Sequence, residues 1–389
     1  MALCSKGRRL LRRVNAFTTM DNTQTAKKLF KAGKLRVASL PTERLAPLLK
    51  PSLDRARGML VGLAIGDALG NTTESLNAND RRRSHGEIRD YLPNARAGGE
   101  RVGMPSDDTQ LAAWLLESLL ERGGLDVEDV AKRYSRRRIF GIGDTMRAFL
   151  IAYRAGTPLW SCGQPSAGNG ALMRVAAVAA YHLPRASSAM LTDALLASAL
   201  THNDPTSNAA CVAFTVMLCE LAGMNSPPAR EWWVARFVEL ARPMEGPVRL
   251  KSRVPGCCFE GSLCDCLEQI VQPAIRSHKP LSELLNSWHS AAFLLETVPS
   301  VLAILAWHAA DPETALVRAV NDTWDNDTIA AIVGAAIGSL HGELSLPGRW
   351  RDGLSGCTES EDDGRLFDLL SQLDGKLGRK AATGLPKSG

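Results

Sequence analysis

Two short stretches crowd oxygen-bearing side chains in front of apolar runs. Residues 106–109 read SDDT and residues 325–328 read DNDT. A helix start needs one capping oxygen and gains from one further acid near its dipole, so each stretch carries more than capping asks for. If the two met in space, Asp107, Asp108, Asp325 and Asp327 would repel one another severely without cations. Hard divalent ions such as Mg²⁺ or Mn²⁺ take carboxylate, hydroxyl and water oxygens and keep open positions. The Asp325-x-Asp327 alternation aims two carboxylates from one turn at one centre, and Thr328 adds a hydroxyl, as Ser106 does in the first stretch. Helix capping is the alternative for either stretch alone; their joint occurrence favours metal. Glu74 joins the same oxygen inventory, and Asp322 is left to a cap or to solvent. No His/Cys ligand set competes, which argues against zinc.

Three further stretches read as loops that touch a substrate. SAGNGALMR (166–174) is a glycine-rich turn into a helix, suited to offering backbone N–H groups to a phosphate, though it can be simply a turn. THNDPTSNAA (201–210) sets His202 just ahead of a capped helix, where a structural histidine is the plainer reading. RRIFGIGDT (137–145) is a third glycine-bearing turn.

These residues need helices to position them. Gly58, Gly62, Gly66 and Gly70 recur at steps of four from Leu53 onward, and Ala330, Gly334 and Gly338 do the same after DNDT. Glycine costs a helix up to ~1 kcal/mol per position, so such stripes predict backbones in close approach. Asp67, embedded in the first stripe, is either a hydrogen-bonded core acid or a metal-associated one. Leu111, Trp114, Leu115 and Leu119 have helical spacing after SDDT, with a glycine pair as the stop, and such spacing also fits 126–154, 171–181, 189–200, 207–223, 229–242, 263–276, 281–309, 312–320 and 327–341, with no convincing alternating strand. Residues 75–104 read as a polar surface loop. The expectation is one all-α domain over 53–345, a basic N-terminal extension over 1–52 and a polar C-terminal extension over 346–389.

Composition bounds the rest. The 389 residues are 45% hydrophobic and 22% charged, ordinary globular proportions. No stretch supplies the ~20 uninterrupted apolar residues of a membrane span. The net charge of +5 is uneven: residues 1–57 hold 14 Lys and Arg against 3 Asp and Glu, and the remainder 32 against 38. The basic start lacks the apolar core of a secretory signal and reads as a leader, with a mitochondrial-type segment as the alternative. It has no recognition motif and only Phe17 and Phe30 for stacking, which argues against nucleic acid. The Cys257, Cys258, Cys264, Cys266 spacing matches no common zinc pattern, so reduced thiols and a cytoplasmic location are expected.

Five pieces in order, GLAIGDALGNTTE, SDDTQLA, GNGALMR, the TH of 201–202 and DNDTIAAIVGAAIGSLHG, resemble the ADP-ribosylglycohydrolase family. The resemblance runs from about Gly58 to Gly342. It implies a compact, largely orthogonal α-helical domain, in agreement with the helix pattern; a monomer is expected. It further implies a binuclear Mg²⁺ or Mn²⁺ centre with Ser106, Asp107, Asp108, Asp325, Asp327 and Thr328 as ligands. Glu74, Asp107 and Asp108 would be catalytic, and Gly168, Asn169, Gly170 and His202 would hold ADP-ribose. The implied reaction removes mono-ADP-ribose from a modified protein, with arginine as the expected linkage. The alternative is an immunity protein whose basic arm also binds an ADP-ribosylating toxin. Ser106 stands where threonine is usual, and TWDNDT where GGDTDT is usual, so Trp324 adds bulk in place of glycine. No carboxylate is missing, and a working enzyme is expected.

Overall fold

Glycine at every fourth position lets two helices meet backbone to backbone. In the computed structural model, which describes residues 22–42, 52–183, 187–277, 279–359 and 364–383, Leu53–Gly70 lies antiparallel to Asn326–His341. A Cβ on Gly62 would sit 2.1 Å from the Gly334 carbonyl oxygen, and one on Gly66 the same distance from that of Ala330. Both helices are buried along nearly their whole length, so the close approach trades side-chain volume for direct backbone contact. At the end of the seam a Cβ on Gly70 would meet the Asp327 Cα at 2.5 Å. The glycine stripe thereby brings the Asp67 end of one helix to the Asp327 start of the other.

Other helices wrap this pair, among them Asp107–Arg122, Ala176–His182, Pro205–Leu221, Leu294–His308 and Pro312–Asp322. The architecture is all-α. Among the described residues the single exception is an antiparallel pair, Leu250–Lys251 with Glu260–Gly261, too short to show alternation in sequence.

Several expected segments are broken, each for a local reason. The stretch 126–154 splits into Val127–Arg136 and Asp144–Arg154, with Gly141 at φ +80° between them. The stretch 281–309 splits into Leu281–Ser287 and Leu294–His308, with His289 and Ser290 both at positive φ. Residues 75–104 hold a helix, Ala78–His85, and bury Arg81, Ile88 and Tyr91. The region after residue 345 is less detached than its polarity suggests. Trp350 and Leu354 are buried, and Arg365–Thr383 buries Leu366, Leu369, Leu370, Leu373 and Leu377. That spacing is one helical stripe, masked by the charged residues between.

In the N-terminal extension Asn22–Lys31 buries Ala26 and Leu29. Residues 1–21 and 43–51 of the basic arm considered for toxin binding lie outside the described residues. Cys257 and Cys258 are exposed and Cys264 and Cys266 buried, all as free thiols. No helix among the described residues is long and apolar enough to cross a membrane.

Candidate metal centre and active-site cavity

Asp107 and Asp108 open the Asp107–Arg122 helix, but neither they nor Ser106 caps it with a side chain. The cap comes from the glycine-striped helix. Asp67 accepts from the Ser106 amide (2.8 Å), the Ser106 hydroxyl (2.5 Å), the Thr109 amide (3.1 Å), the Thr109 hydroxyl (2.6 Å) and Asn71 Nδ2 (3.0 Å). Asp67 is thus a saturated core acid that fixes the neighbouring helix start. Relieved of capping, Asp107 faces a cavity, and Asp108 turns inward to meet the second acid stretch, with Thr328 Oγ1 3.4 Å from its Oδ2.

The second stretch is arranged likewise. Asp325 stands at the N-cap position of Asn326–His341 without a capping hydrogen bond and instead accepts from Asn169 Nδ2 at 2.6 Å. Asn169 is held in turn by Thr297 Oγ1 at 3.0 Å. The amides of Trp324 and Asp325 both donate to the Ser290 carbonyl, at 3.2 and 3.0 Å. Arg81, fully buried, donates to the carbonyls of Thr323 (2.8 Å) and Leu76 (2.7 Å), tying this turn to the segment behind Glu74. Asp322 lies outside the group, paired with Arg318 at 3.0 Å.

The chemistry of this cluster fits a hard cation. Carboxylate oxygens of Asp67, Asp108 and Asp327 lie within 4.8 Å of one another, all buried. Among the described residues none of Asp107, Asp108, Asp325 and Asp327 has an Arg or Lys ion pair, and Asp108 Oδ1 has no hydrogen-bond partner. Burial, reinforced by neighbouring carboxylates, pushes Asp107, Asp108 and Asp327 well above the usual carboxylate range. Burial also raises Asp325, against the pull of Asn169. Buried like charges with an orphaned oxygen leave room for the positive charge that would let them all ionise.

A cavity of about 460 Å³ opens beside the cluster, bordered by Glu74, Asp107, Asp325, Asp327 and Thr328 at one end. Its other end is made largely of turns: Gly141, Gly143 to Met146, Ser166 to Gly170, His202, Arg253, Ala292 and Phe293. Glu74 is open to solvent on one side, while loss of water around its carboxyl, with the charges of Asp325 and Asp67, raises it to about 7.

His202 forms part of the wall as a neutral ring: burial, with Arg174 beside it, lowers it to about 3. Arg174 donates to the Thr201 hydroxyl, and Thr201 Oγ1 lies 2.9 Å from His202 Nδ1. A guanidinium can only donate, so the Thr201 proton is free to turn to Nδ1, and in that tautomer the ring presents Nε2–H to the cavity. Gly170 leaves space for this ring; a Cβ there would lie 3.0 Å from Nε2. The glycine-rich turn is less open than the sequence suggests. The Gly168 amide donates to Ser166 Oγ (3.3 Å) and the Asn169 amide to the Ala292 carbonyl (3.1 Å).

The structure therefore brings Glu74, Ser106, Asp107, Asp108, Asp325, Asp327, Thr328, Gly168, Asn169, Gly170 and His202 to one cavity or its immediate backing. Trp324 does not border it; it is 42% exposed and stacks on His289 with ring centroids 4.8 Å apart. Sequence reasoning missed Arg81, Arg174, Thr297 and Arg253. Only Arg174 carried a signal, as a charge inside an otherwise apolar helical run.

Comparison with known proteins agrees with this geometry. The family model described as ADP-ribosylglycohydrolase matches residues 49–380. The ADP-ribosyl-[dinitrogen reductase] glycohydrolase of Rhodospirillum rubrum is 28% identical over 334 residues, covering 83% of this chain and 97% of its own. The ADP-ribosylarginine hydrolase Tri1 of Serratia proteamaculans is 29% identical over 337 residues, covering 83% of this chain and 79% of its own. A solved structure of an ADP-ribosylglycohydrolase-related protein complex superposes with a TM-score of 0.62 at 26% identity, covering 84% of this chain and 99% of that one. With the acid cluster, the cavity and a match across nearly the whole folded body in agreement, the chain belongs to the ADP-ribosylglycohydrolase family and is a glycohydrolase.

Proposed function

We propose that this glycohydrolase cleaves the bond between C1″ of ADP-ribose and an arginine nitrogen of a modified protein, using two Mg²⁺ or Mn²⁺ ions. The observation that carries the metal half is the buried aspartate cluster with its unpartnered Asp108 oxygen. The arginine half is supported by two relatives that are both named as ADP-ribosylarginine hydrolases. Ser106, Asp107, Asp108, Asp325, Asp327 and Thr328 would hold the ions. Bound there, the ions would supply Lewis acidity for the ribose hydroxyls and the attacking water.

The chain's own groups divide the remaining work. Cleavage builds positive charge at C1″, which the carboxylates of Asp107 and Asp325 on the cavity wall stabilise. Glu74, raised to about 7, can take a proton from the attacking water at its carboxylate oxygen near neutral pH. His202 offers Nε2–H as an uncharged donor to a ribose hydroxyl or phosphate oxygen. Asn169 holds Asp325 in place and keeps Gly168 and Gly170 against the ligand.

Release of ADP-ribose from arginine-, serine- and acetyl-linked substrates, assayed side by side with Mg²⁺ and with EDTA, tests the reading. The expected result is turnover of the arginine linkage that EDTA abolishes. Equal turnover in EDTA would remove the metal half, and preference for the serine linkage the arginine half.

A further inference from the structure

The acid end of the cavity repels a diphosphate unless cations are bound there, and the other end has surprisingly little to offer it. Two amides of the glycine-rich turn are already spent within the chain, and His202 is neutral. The described residues bordering the cavity include five acids, Glu74, Asp107, Asp144, Asp325 and Asp327, and a single Arg or Lys, Arg253. Arg253 lies in the connection between the two short strands, which is closed by the Ser252 amide on the Phe259 carbonyl at 3.0 Å.

Its guanidinium is fixed on two sides. Nε and Nη2 each lie 3.0 Å from the carboxylate of Glu296, itself only 2% exposed, and the guanidinium carbon stands 4.6 Å from the Phe293 ring centre. A guanidinium carries five N–H groups in a rigid fork, so two held by Glu296 leave three, including both on Nη1. The Arg253 side chain is 56% exposed, which leaves that edge accessible. A planar donor edge, oriented in advance at the wall of an otherwise acidic cavity, suits an oxyanion with several oxygens.

We propose that Arg253, aimed by Glu296 and Phe293, is the residue that grips the diphosphate of the ADP-ribose moiety and so selects for it. This rests on the reading of the cavity as an ADP-ribose site. Calorimetric titration of ADP-ribose into the Mg²⁺-loaded full chain tests it, comparing wild type, R253Q, R253K and R253Q/E296Q. The double variant matters because R253Q alone leaves the buried Glu296 charge unpaired.

Loss of charge-assisted hydrogen bonds predicts that R253Q and R253Q/E296Q bind ADP-ribose about 10- to 100-fold more weakly, with R253K between them and wild type. The Mg²⁺-induced rise in melting temperature should persist in all four, because neither substituted residue would hold an ion. Wild-type affinity in both glutamine variants would overturn the assignment while leaving the ADP-ribose reading intact. Absence of ADP-ribose binding by wild type would instead overturn that reading, and the Arg253 assignment with it.

Discussion

The two ends of the cavity are built in different ways. At the acid end Asp107, Asp108, Asp325 and Asp327 stand on or beside the first turn of a long helix, with Glu74 just past the end of another, and those helices are locked by backbone contact and by Asp67. At the other end the wall is made of turns that hold each other: Leu294 donates to Ala167 at 2.9 Å, Asn169 to Ala292 at 3.1 Å, and His289 and Ser290 sit at positive φ. Rigid helix starts suit a metal centre, whose ligands tolerate little displacement. Turns can vary in sequence without disturbing the core, which suits the part that meets the ligand's distal groups. Chemistry and selectivity thus sit on separate supports, joined by Asn169 to Asp325 and by the Trp324 and Asp325 amides on the Ser290 carbonyl.

The largest effect should come from the acid end. Asp327→Asn keeps the size of the side chain but removes a buried charge from the cluster. Hydrolysis of an ADP-ribosyl-arginine substrate should fall by about a thousandfold or more, the scale on which active-site electrostatic stabilisation is lost. The rise in melting temperature on adding Mg²⁺ should vanish with it. A variant that keeps the full Mg²⁺ shift would show that Asp327 is not a ligand.

Gly62→Ala attacks the support rather than the chemistry. The added Cβ would sit 2.1 Å from the Gly334 carbonyl oxygen, which is backbone and cannot rotate away. The helices must separate, at a cost of about 3 kcal/mol or more. Urea denaturation measures this directly. A loss below about 1 kcal/mol would mean that the seam is looser than its geometry.

The two ends also differ in how pH acts on them. Asp107, Asp108 and Asp327 ionise near ~4 in an unfolded chain but well above that in the fold, because burial and mutual repulsion disfavour their charge. Above their folded values the charged cluster weakens the metal-free protein, and that cost shrinks as the pH falls from those values towards ~4. A divalent cation binds only the ionised form. Its stabilising effect should therefore be full at pH 8, smaller at pH 5.5, and lost as protons reclaim the carboxylates. Melting curves with and without Mg²⁺ at the two values decide the matter, and equal shifts would place the ion elsewhere. His202, lowered to about 3, stays neutral in the fold over this range; it weakens the fold below ~6.5, where the unfolded ring takes a proton, but equally with and without Mg²⁺. Glu74 should add an activity limb at or below about 7, since cations nearby pull it down, and E74Q should remove that limb.

What could be read from sequence follows the same division. The acid clusters were legible because each is contiguous in the chain, and the glycine stripes because their step of four is a helical period. Together they pointed to the meeting of two stretches that lie 220 residues apart at Thr328 and Asp108. Arg81 was hidden because a buried guanidinium bonded to carbonyls looks, in sequence, like one more charge in a polar loop. Arg253, Glu296 and Phe293 were hidden because nothing local links a strand turn to a helix start 43 residues away at Glu296. The helix Arg365–Thr383 was half visible: its leucine stripe is regular, but the polar residues around it suggested a detached tail.

Trp324 is where the smallest effect is expected, and where sequence and geometry diverge most. Beside the acid stretch in sequence, it suggests a bulky side chain narrowing the site. In the fold its backbone belongs to the acid end, since its amide donates to Ser290, while its ring turns away and stacks on His289. The ring therefore braces the strained 289–290 turn rather than the cavity. An aromatic pair of this kind contributes about 0.5–1.5 kcal/mol. Trp324→Leu should lower stability by about 1 kcal/mol and change hydrolysis of a small ADP-ribosyl-arginine substrate by less than about threefold. Glycine is the less informative replacement, because it would also loosen the backbone that carries Asp325. A tenfold or larger change in KM for the small substrate, with stability intact, would put the indole in the path of the ligand and return Trp324 to the acid end.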